Sequence, residues 1–151
     1  MDYLIRNAMA TDAPAISQTI INALRQSNAQ DYSPEIIDQV AQNFSPPAIL
    51  QLLAQRQILV ATVDNHIVAT ASLDQDVVRS VFVDPSYQGK GLGRHLMARI
   101  QSIAINAGLN LLRVPSSITA EGFYASLGFE KVRDEFHKSE RTIIMTKTLD
   151  L

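Results

Sequence analysis

An α/β domain with a mixed, mostly antiparallel central sheet flanked by helices is what the 151-residue sequence predicts. Three features carry this expectation. The first third shows helical spacing with two Ser-Pro starts, residues 58–83 hold three consecutive runs of β-formers, and a helix–strand–helix alternation then leads into two closing strands. With 46% apolar and 19% charged residues, a chain of this length buries about two-thirds of its unfolded surface in one core, so residues 1–151 are expected to form a single domain.

Taken in order, Leu4 to Ala8 reads as a short strand. Thr11-Asp12-Ala13-Pro14 then offers capping side chains and an early proline to a helix whose apolar face is Ile16, Ile20, Ala23 and Leu24. Ser33-Pro34 opens a second helix and Ser45-Pro46 a third, the latter carrying Ile49, Leu50, Leu52 and Leu53. The runs 58–63 and 66–73, separated by Asp64-Asn65, form a hairpin. Asp74-Gln75-Asp76 turns the chain into a third strand from Val77 to Val83. A helix from about Gly91 to Ala107, a strand from Leu111 to Val114 and a helix from about Thr119 to Leu127 follow, and Gly128 stops the last of these. Phe129 to Val132 and Thr142 to Thr148 are the closing strands, leaving 133–141 as a charged loop.

Charge and composition remove several functions. Thirteen Lys and Arg against fifteen Asp and Glu give a formal charge of −2, which excludes the broad basic face of a nucleic-acid binder. Without cysteine there is no disulfide, no thiolate metal site and no cysteinyl intermediate, and no metal is expected. The opening Met1-Asp2-Tyr3-Leu4-Ile5-Arg6 lacks the layout of a signal peptide, and no run approaches the roughly 18 apolar residues of a membrane span. A cytoplasmic protein that does not engage membranes is the expectation, with homodimerisation left open.

The segment Val81-Phe82-Val83-Asp84-Pro85-Ser86-Tyr87-Gln88-Gly89-Lys90-Gly91-Leu92-Gly93-Arg94 is the most informative. Three of the chain's six glycines alternate within five residues, directly between a strand and a helix. Glycine is entropically costly, so such clustering points to bare backbone N–H groups that a ligand approaches closely. The positive helix end attracts an anion, and Lys90, Arg94 and Arg99 add charge with no acid from Gln88 to Arg99. Neither common phosphate loop fits. No Lys-Ser or Lys-Thr stands at Walker spacing, and the sixth place of a dinucleotide fingerprint is Leu96 or Arg94 rather than glycine.

Gln88-x-x-Gly91-x-Gly93 after a Val-Phe-Val-Asp-Pro strand end resembles the acyl-CoA pyrophosphate loop of the GNAT superfamily of N-acetyltransferases. A second match lies about 30 residues on. Ser117-x-x-Ala120-x-x-x-Tyr124 leading to Leu127-Gly128-Phe129 is similar to that family's N-x-x-A-x-x-x-Y helix and following L-G-F. The resemblance implies a GNAT-like fold, acetyl-CoA as co-substrate and transfer of an acetyl group to a primary amine of a small molecule or peptide. It assigns cofactor binding to Gln88, Gly89, Lys90, Gly91, Leu92, Gly93 and Arg94, and carbonyl polarisation to a backbone N–H near Val81, Phe82 and Val83. It also places Tyr124 at the coenzyme sulfur. Ser117 stands where the family has Asn, so a hydroxyl would make that contact, and no acid in Val77 to Val83 occupies a general-base position.

An alkylamine with a pKa near 10.4 is only about 0.04% neutral at pH 7, so the reaction needs a base, a water chain or a low-pKa substrate. Candidate bases are Asp74, Asp76, Glu121 and His137, each with an alternative reading as turn, solvated helix face or solvated loop. His95, following the glycine turn, is expected to support phosphate binding, and His66 to be exposed. Residues 25–35 and 133–141 should border the acceptor, with Tyr32 either walling that site or stapling the capped helix. A non-catalytic acyl-CoA sensor or regulatory module is the competing functional class.

Overall fold

The computed structural model of the chain describes residues 2–150; Met1 and Leu151, the outer limits of the expected domain, lie outside the described residues. Its elements are β1 (Leu4–Asn7), α1 (Ala13–Gln26), α2 (Pro34–Gln42), α3 (Pro46–Gln55), β2 (Gln57–Val63), β3 (His66–Asp74), β4 (Val77–Val83), α4 (Leu92–Asn106), β5 (Leu111–Ser116), α5 (Glu121–Ser126), β6 (Glu130–His137) and β7 (Glu140–Thr148). One seven-stranded sheet in the order β1-β2-β3-β4-β5-β7-β6 organises them. Every neighbouring pair is antiparallel except β4 and β5, the mixed pattern that the sequence predicts.

Both Ser-Pro starts behave as expected. The Ser33 hydroxyl accepts from Ile36 N–H and that of Ser45 from Ala48 N–H, each at 3.3 Å, with proline at the first helical position. The Asp12 cap differs. Its carboxylate accepts from Met9 N–H at 2.7 Å and from Arg6 at 2.8 and 3.0 Å, bracing the 3-10 turn before α1 rather than capping α1. The β2–β3 turn holds Asp64 and Asn65 at φ of 50° and 66°, the paired left-handed geometry that a two-residue hairpin turn needs.

Two apolar layers cover the sheet. On one face α4 buries Leu92, Leu96, Met97, Ile100 and Ala104 against Leu59, Ala61, Val78, Leu112 and Val114. On the other, Ile16, Ile20 and Leu24 of α1 join Ile37 of α2 and Ile49 of α3 over Ile58 and Val60. The predicted α1 face is therefore correct, whereas Leu50 of α3 is exposed.

The expected charged loop at 133–141 is instead a hairpin. β6 runs to His137, pairs with β7 through His137↔Glu140, and turns at Lys138-Ser139, with Lys138 at φ 56°. β6 lies at the sheet edge and nearly all its side chains meet solvent. Charged residues are tolerated there and guard an edge against further pairing, so composition alone misreads this strand as a loop.

Candidate active site

The site begins where β4 and β5 part. These parallel strands share a single ladder pair, Val77↔Arg113, beyond which they diverge. On the opposite edge of β4 the register to β3 passes from Ser72↔Arg79 to Thr70↔Phe82, two steps on β3 against three on β4. The extra residue is a β-bulge at Ser80-Val81, and Ser80 sits at φ 55°. A bulge re-aims backbone groups, and here it does so beside the opening of the sheet.

The glycine turn adjoins that opening. Gly89 and Gly91 have φ of 76° and 86°, and a Cβ added at either would meet nothing within 4 Å. Their backbone is therefore open to a ligand. Gly91 is the N-cap of α4 and offers no side-chain cap, so the first N–H groups of this 15-residue helix face outward without intrahelical partners. Lys90 and Arg94 are exposed beside them. Gly93 has another role: a Cβ there would lie 3.2 Å from ring carbons of Phe123, so its bareness admits that ring. The Gln88 side chain donates to Ser27 Oγ at 3.0 Å and to the Val83 carbonyl at 3.2 Å, fastening the turn to the end of α1. This glycine-framed helix start fits a pyrophosphate, and the split sheet fits an extended arm leading from it.

A cavity of about 1370 Å³ runs through the split. Val81, Phe82 and Val83 line one wall, Ser116, Ser117 and Tyr124 another. Ser117 Oγ accepts from Ala120 N–H at 3.1 Å, shaping the turn into α5 while its own proton stays available. Tyr124 is 4% exposed and held edge-on between Phe123 and Phe129, with ring centroids 5.2 and 5.6 Å away. Among the described residues its hydroxyl has no hydrogen-bond partner. Burial pushes its pKa well above the ordinary tyrosine value, which keeps it a proton-bearing donor.

Of the four candidate bases, only His137 borders the cavity. Asp74 lies 3.8 Å from Arg79 Nε, the Asp76 carbonyl accepts from Arg113 N–H at 2.9 Å, and Glu121 begins α5. None of these three lines the cavity. His95 packs at a tilt against Tyr3, ring centroids 5.4 Å apart, beside Arg99 in a groove away from the glycine turn, which is not the phosphate-supporting position expected of it. Tyr32 does line the cavity, but neither sequence reading describes its bonds: the hydroxyl accepts from Ile118 N–H and donates to the Arg141 carbonyl.

Sequence reasoning missed three arginines in the cavity wall, Arg56, Arg79 and Arg113. A signal existed. Arg79 and Arg113 are lone cations flanked by strand residues whose neighbours Val78, Leu112 and Val114 face α4, so period-two alternation sends both to the opposite face.

A parallel strand pair that parts after one ladder step, a β4 bulge beside it and a glycine-framed helix start together define the site's architecture. Residues 28–149 match the family model described as an acetyltransferase (GNAT) domain, and the chain belongs to that family of acetyltransferases. It is 28% identical over 131 residues to an uncharacterised N-acetyltransferase, YafP, of Escherichia coli strain K12, covering 87% of this chain and 83% of that one. A GCN5-related N-acetyltransferase from Rhodopseudomonas palustris shares the fold with a TM-score of 0.93 at 24% identity, over 99% and 97% of the two chains. YncA of Salmonella typhimurium, solved with its cofactor acetyl-CoA, superposes with a TM-score of 0.67 at 25% identity, over 98% and 94%.

Proposed function

We propose that this acetyltransferase takes acetyl-CoA as co-substrate and transfers the acetyl group to a primary amine of a small molecule or peptide by direct attack in a ternary complex. The observation that carries the reading is the continuity of the cavity from the glycine turn, past the β4 bulge, to the unpartnered Tyr124 hydroxyl. Bound acetyl-CoA would supply an acetyl thioester, from which the acyl group passes to the amine as the thiol is released.

The chain's own residues divide the remaining work. Backbone N–H groups from Gly89 to Arg94 take the pyrophosphate, with Lys90 and Arg94 adding charge at its rim. The bulged backbone at Val81 to Val83 polarises the thioester carbonyl, because Ser80 and Val81 face no partner in β3 and their groups are free to turn inward. Ser117 donates its hydroxyl proton to the coenzyme arm. Tyr124 donates a hydrogen bond to the departing sulfur, and its raised pKa makes full proton transfer uphill, so it acts through that bond. His137 is the remaining candidate for the amine proton, in competition with solvent in an open cavity. A sensor that binds the coenzyme without chemistry would not need the Tyr124 hydroxyl left free in the wall.

Thiol release from acetyl-CoA, followed over a panel of amines and short peptides with mass-spectrometric detection of the acetylated product, tests this reading. Product formation that depends on Tyr124 supports it. Tight coenzyme binding with no product from any acceptor favours the sensor.

A further inference from the structure

We propose that the acetyl acceptor carries an oxyanionic group, a carboxylate or a phosphate, that Arg56, Arg79 and Arg113 hold while its amine faces the thioester. The proposal deepens the reading of this cavity as an acetyltransfer site and rests on it.

Three side chains from distant parts of the sequence line the same cavity. Arg56 ends α3 just before β2, Arg79 precedes the β4 bulge, and Arg113 stands on β5 at the one pairing that joins the two strands. Val77 pairs with Arg113 in a parallel ladder, and Arg79 lies two residues further along β4, so Arg79 and Arg113 share a face. That face is the one away from α4, on the same side as Phe82 and the α1–α3 layer.

The cluster is undercompensated. Arg56 Nε is buried without a hydrogen-bond partner, and its guanidinium makes one bond, from Nη1 to Ser80 Oγ at 3.3 Å, on the strained residue of the bulge. Arg79 has only Asp74, 3.8 Å from its Nε, and Arg113 makes no ion pair among the described residues. Two carboxylates border the cavity: Glu135 is bound to Arg133 at 2.6 Å, and Glu140 begins β7, where its charge acts on Tyr32. Burial and the neighbouring Arg79 charge both weaken the hold of Arg56 on its proton, against a smaller opposing pull from Asp74. Arg79 and Arg113 are exposed, so the cost of holding like charges together falls mainly on the half-buried Arg56, and an arriving opposite charge would relieve it.

An oxyanion would supply what is missing. A guanidinium matches carboxylate or phosphate oxygens through its paired nitrogens, and Arg56 Nη2, which is neither bonded nor buried among the described residues, is open to such an oxygen. The same charges repel a polycationic acceptor, giving selection by exclusion as well as by attraction. They also disfavour the ammonium form of a bound amine, which lessens the need for a carboxylate base that β4 does not have.

The experiment uses matched pairs of primary amines: ω-amino acids against their methyl esters, and aminoalkyl phosphates against the parent amino alcohols. Each is added to protein saturated with CoA and followed by thermal shift, then assayed for thiol release from acetyl-CoA. At least one anionic member should raise the melting temperature when its neutral partner does not, and should exceed that partner in kcat/KM by at least about tenfold. The carboxylate and phosphate arms identify which oxyanion fits. Arg56→Gln and Arg113→Gln should each abolish the acceptor shift while the shift caused by CoA persists, which also shows that the variants fold. Neutral members that match or surpass the anionic ones would overturn the proposal, as would a shift that survives both substitutions or the absence of any shift with the anionic members. Absence of a shift with CoA itself would instead overturn the underlying acetyltransferase reading.

Discussion

The Tyr32 hydroxyl lies 2.7 Å from the backbone nitrogen of Ile118, 86 positions along the chain, and the same oxygen donates to the Arg141 carbonyl at 2.9 Å. One phenol thus joins the segment before α2, the turn between β5 and α5, and the start of β7. These three segments come together at the cavity, so the bond fixes its width. Tyr32→Phe leaves Ile118 N–H without its partner and should cost about 1–2 kcal/mol in urea unfolding. It should also raise the acceptor KM while CoA affinity changes little. A variant with unchanged stability and KM would show that the bridge does not brace the site.

Arg6 and Asp12 set a second, electrostatic expectation. The Arg6 bonds and the Met9 N–H hold the Asp12 carboxyl below the usual aspartate range. Because the folded pKa is depressed, the stabilisation is present above the unfolded value of about 3.9 and is lost as pH falls through the folded one. Asp12→Asn should therefore lower stability by about 1–3 kcal/mol at pH 7, with the difference from wild type vanishing in acid. Denaturation curves at several pH values check this, and a pH-independent difference would assign the effect to packing.

Gly91 and Gly93 should fail in different ways. Gly91→Ala forces a Cβ into the left-handed region at φ 86°, costing about 1 kcal/mol of stability and disturbing the N–H groups proposed to take the pyrophosphate. Gly93→Ala must displace Phe123, whose ring packs on Tyr124, so kcat should fall more than CoA affinity. Thermal melts of the free protein, coenzyme titration and steady-state rates separate the two. Identical profiles would contradict the assignment of Gly93 to ring packing.

Tyr124→Phe should retain the fold and CoA affinity yet lower kcat by about 10- to 1000-fold, the loss of one hydrogen bond to a developing anion. Since burial raises the Tyr124 pKa, the wild-type rate should show no alkaline limb from this group near the ordinary tyrosine value of about 10. Above that pH the unfolded state releases the tyrosine proton before the native state does, so folding stability should decline there. A kcat unchanged in a chemistry-limited assay would reduce Tyr124 to a packing residue.

Local chemistry was legible in the sequence wherever a few adjacent residues decide the outcome. Ser33-Pro34 and Ser45-Pro46 announce their helices through capping, and the glycine turn declares itself because alternate glycines at a helix start have few other uses. Tyr124 was reached through family resemblance, not through its own spacing. Non-local features stayed hidden. Arg56 follows α3 while Arg79 and Arg113 stand on the neighbouring strands β4 and β5, so the three line one cavity only in the folded chain, and no window of sequence contains all three. β6 is legible only at its start, within the expected strand Phe129 to Val132; beyond it, an edge strand solvated on both faces carries no apolar alternation, so its charges resemble those of a loop. For His95, adjacency to the glycine turn does not fix direction, and α4 points the ring toward Tyr3.

Calorimetric titration of acetyl-CoA into the purified protein tests the central claim, a coenzyme site at the glycine turn feeding the split sheet. The account predicts one molecule bound per chain, stabilisation of about 2.7 kcal/mol at a coenzyme concentration 100 times Kd, and loss of both signals in Gly91→Trp. No binding heat and no thermal shift at millimolar acetyl-CoA, with the protein folded, would contradict it.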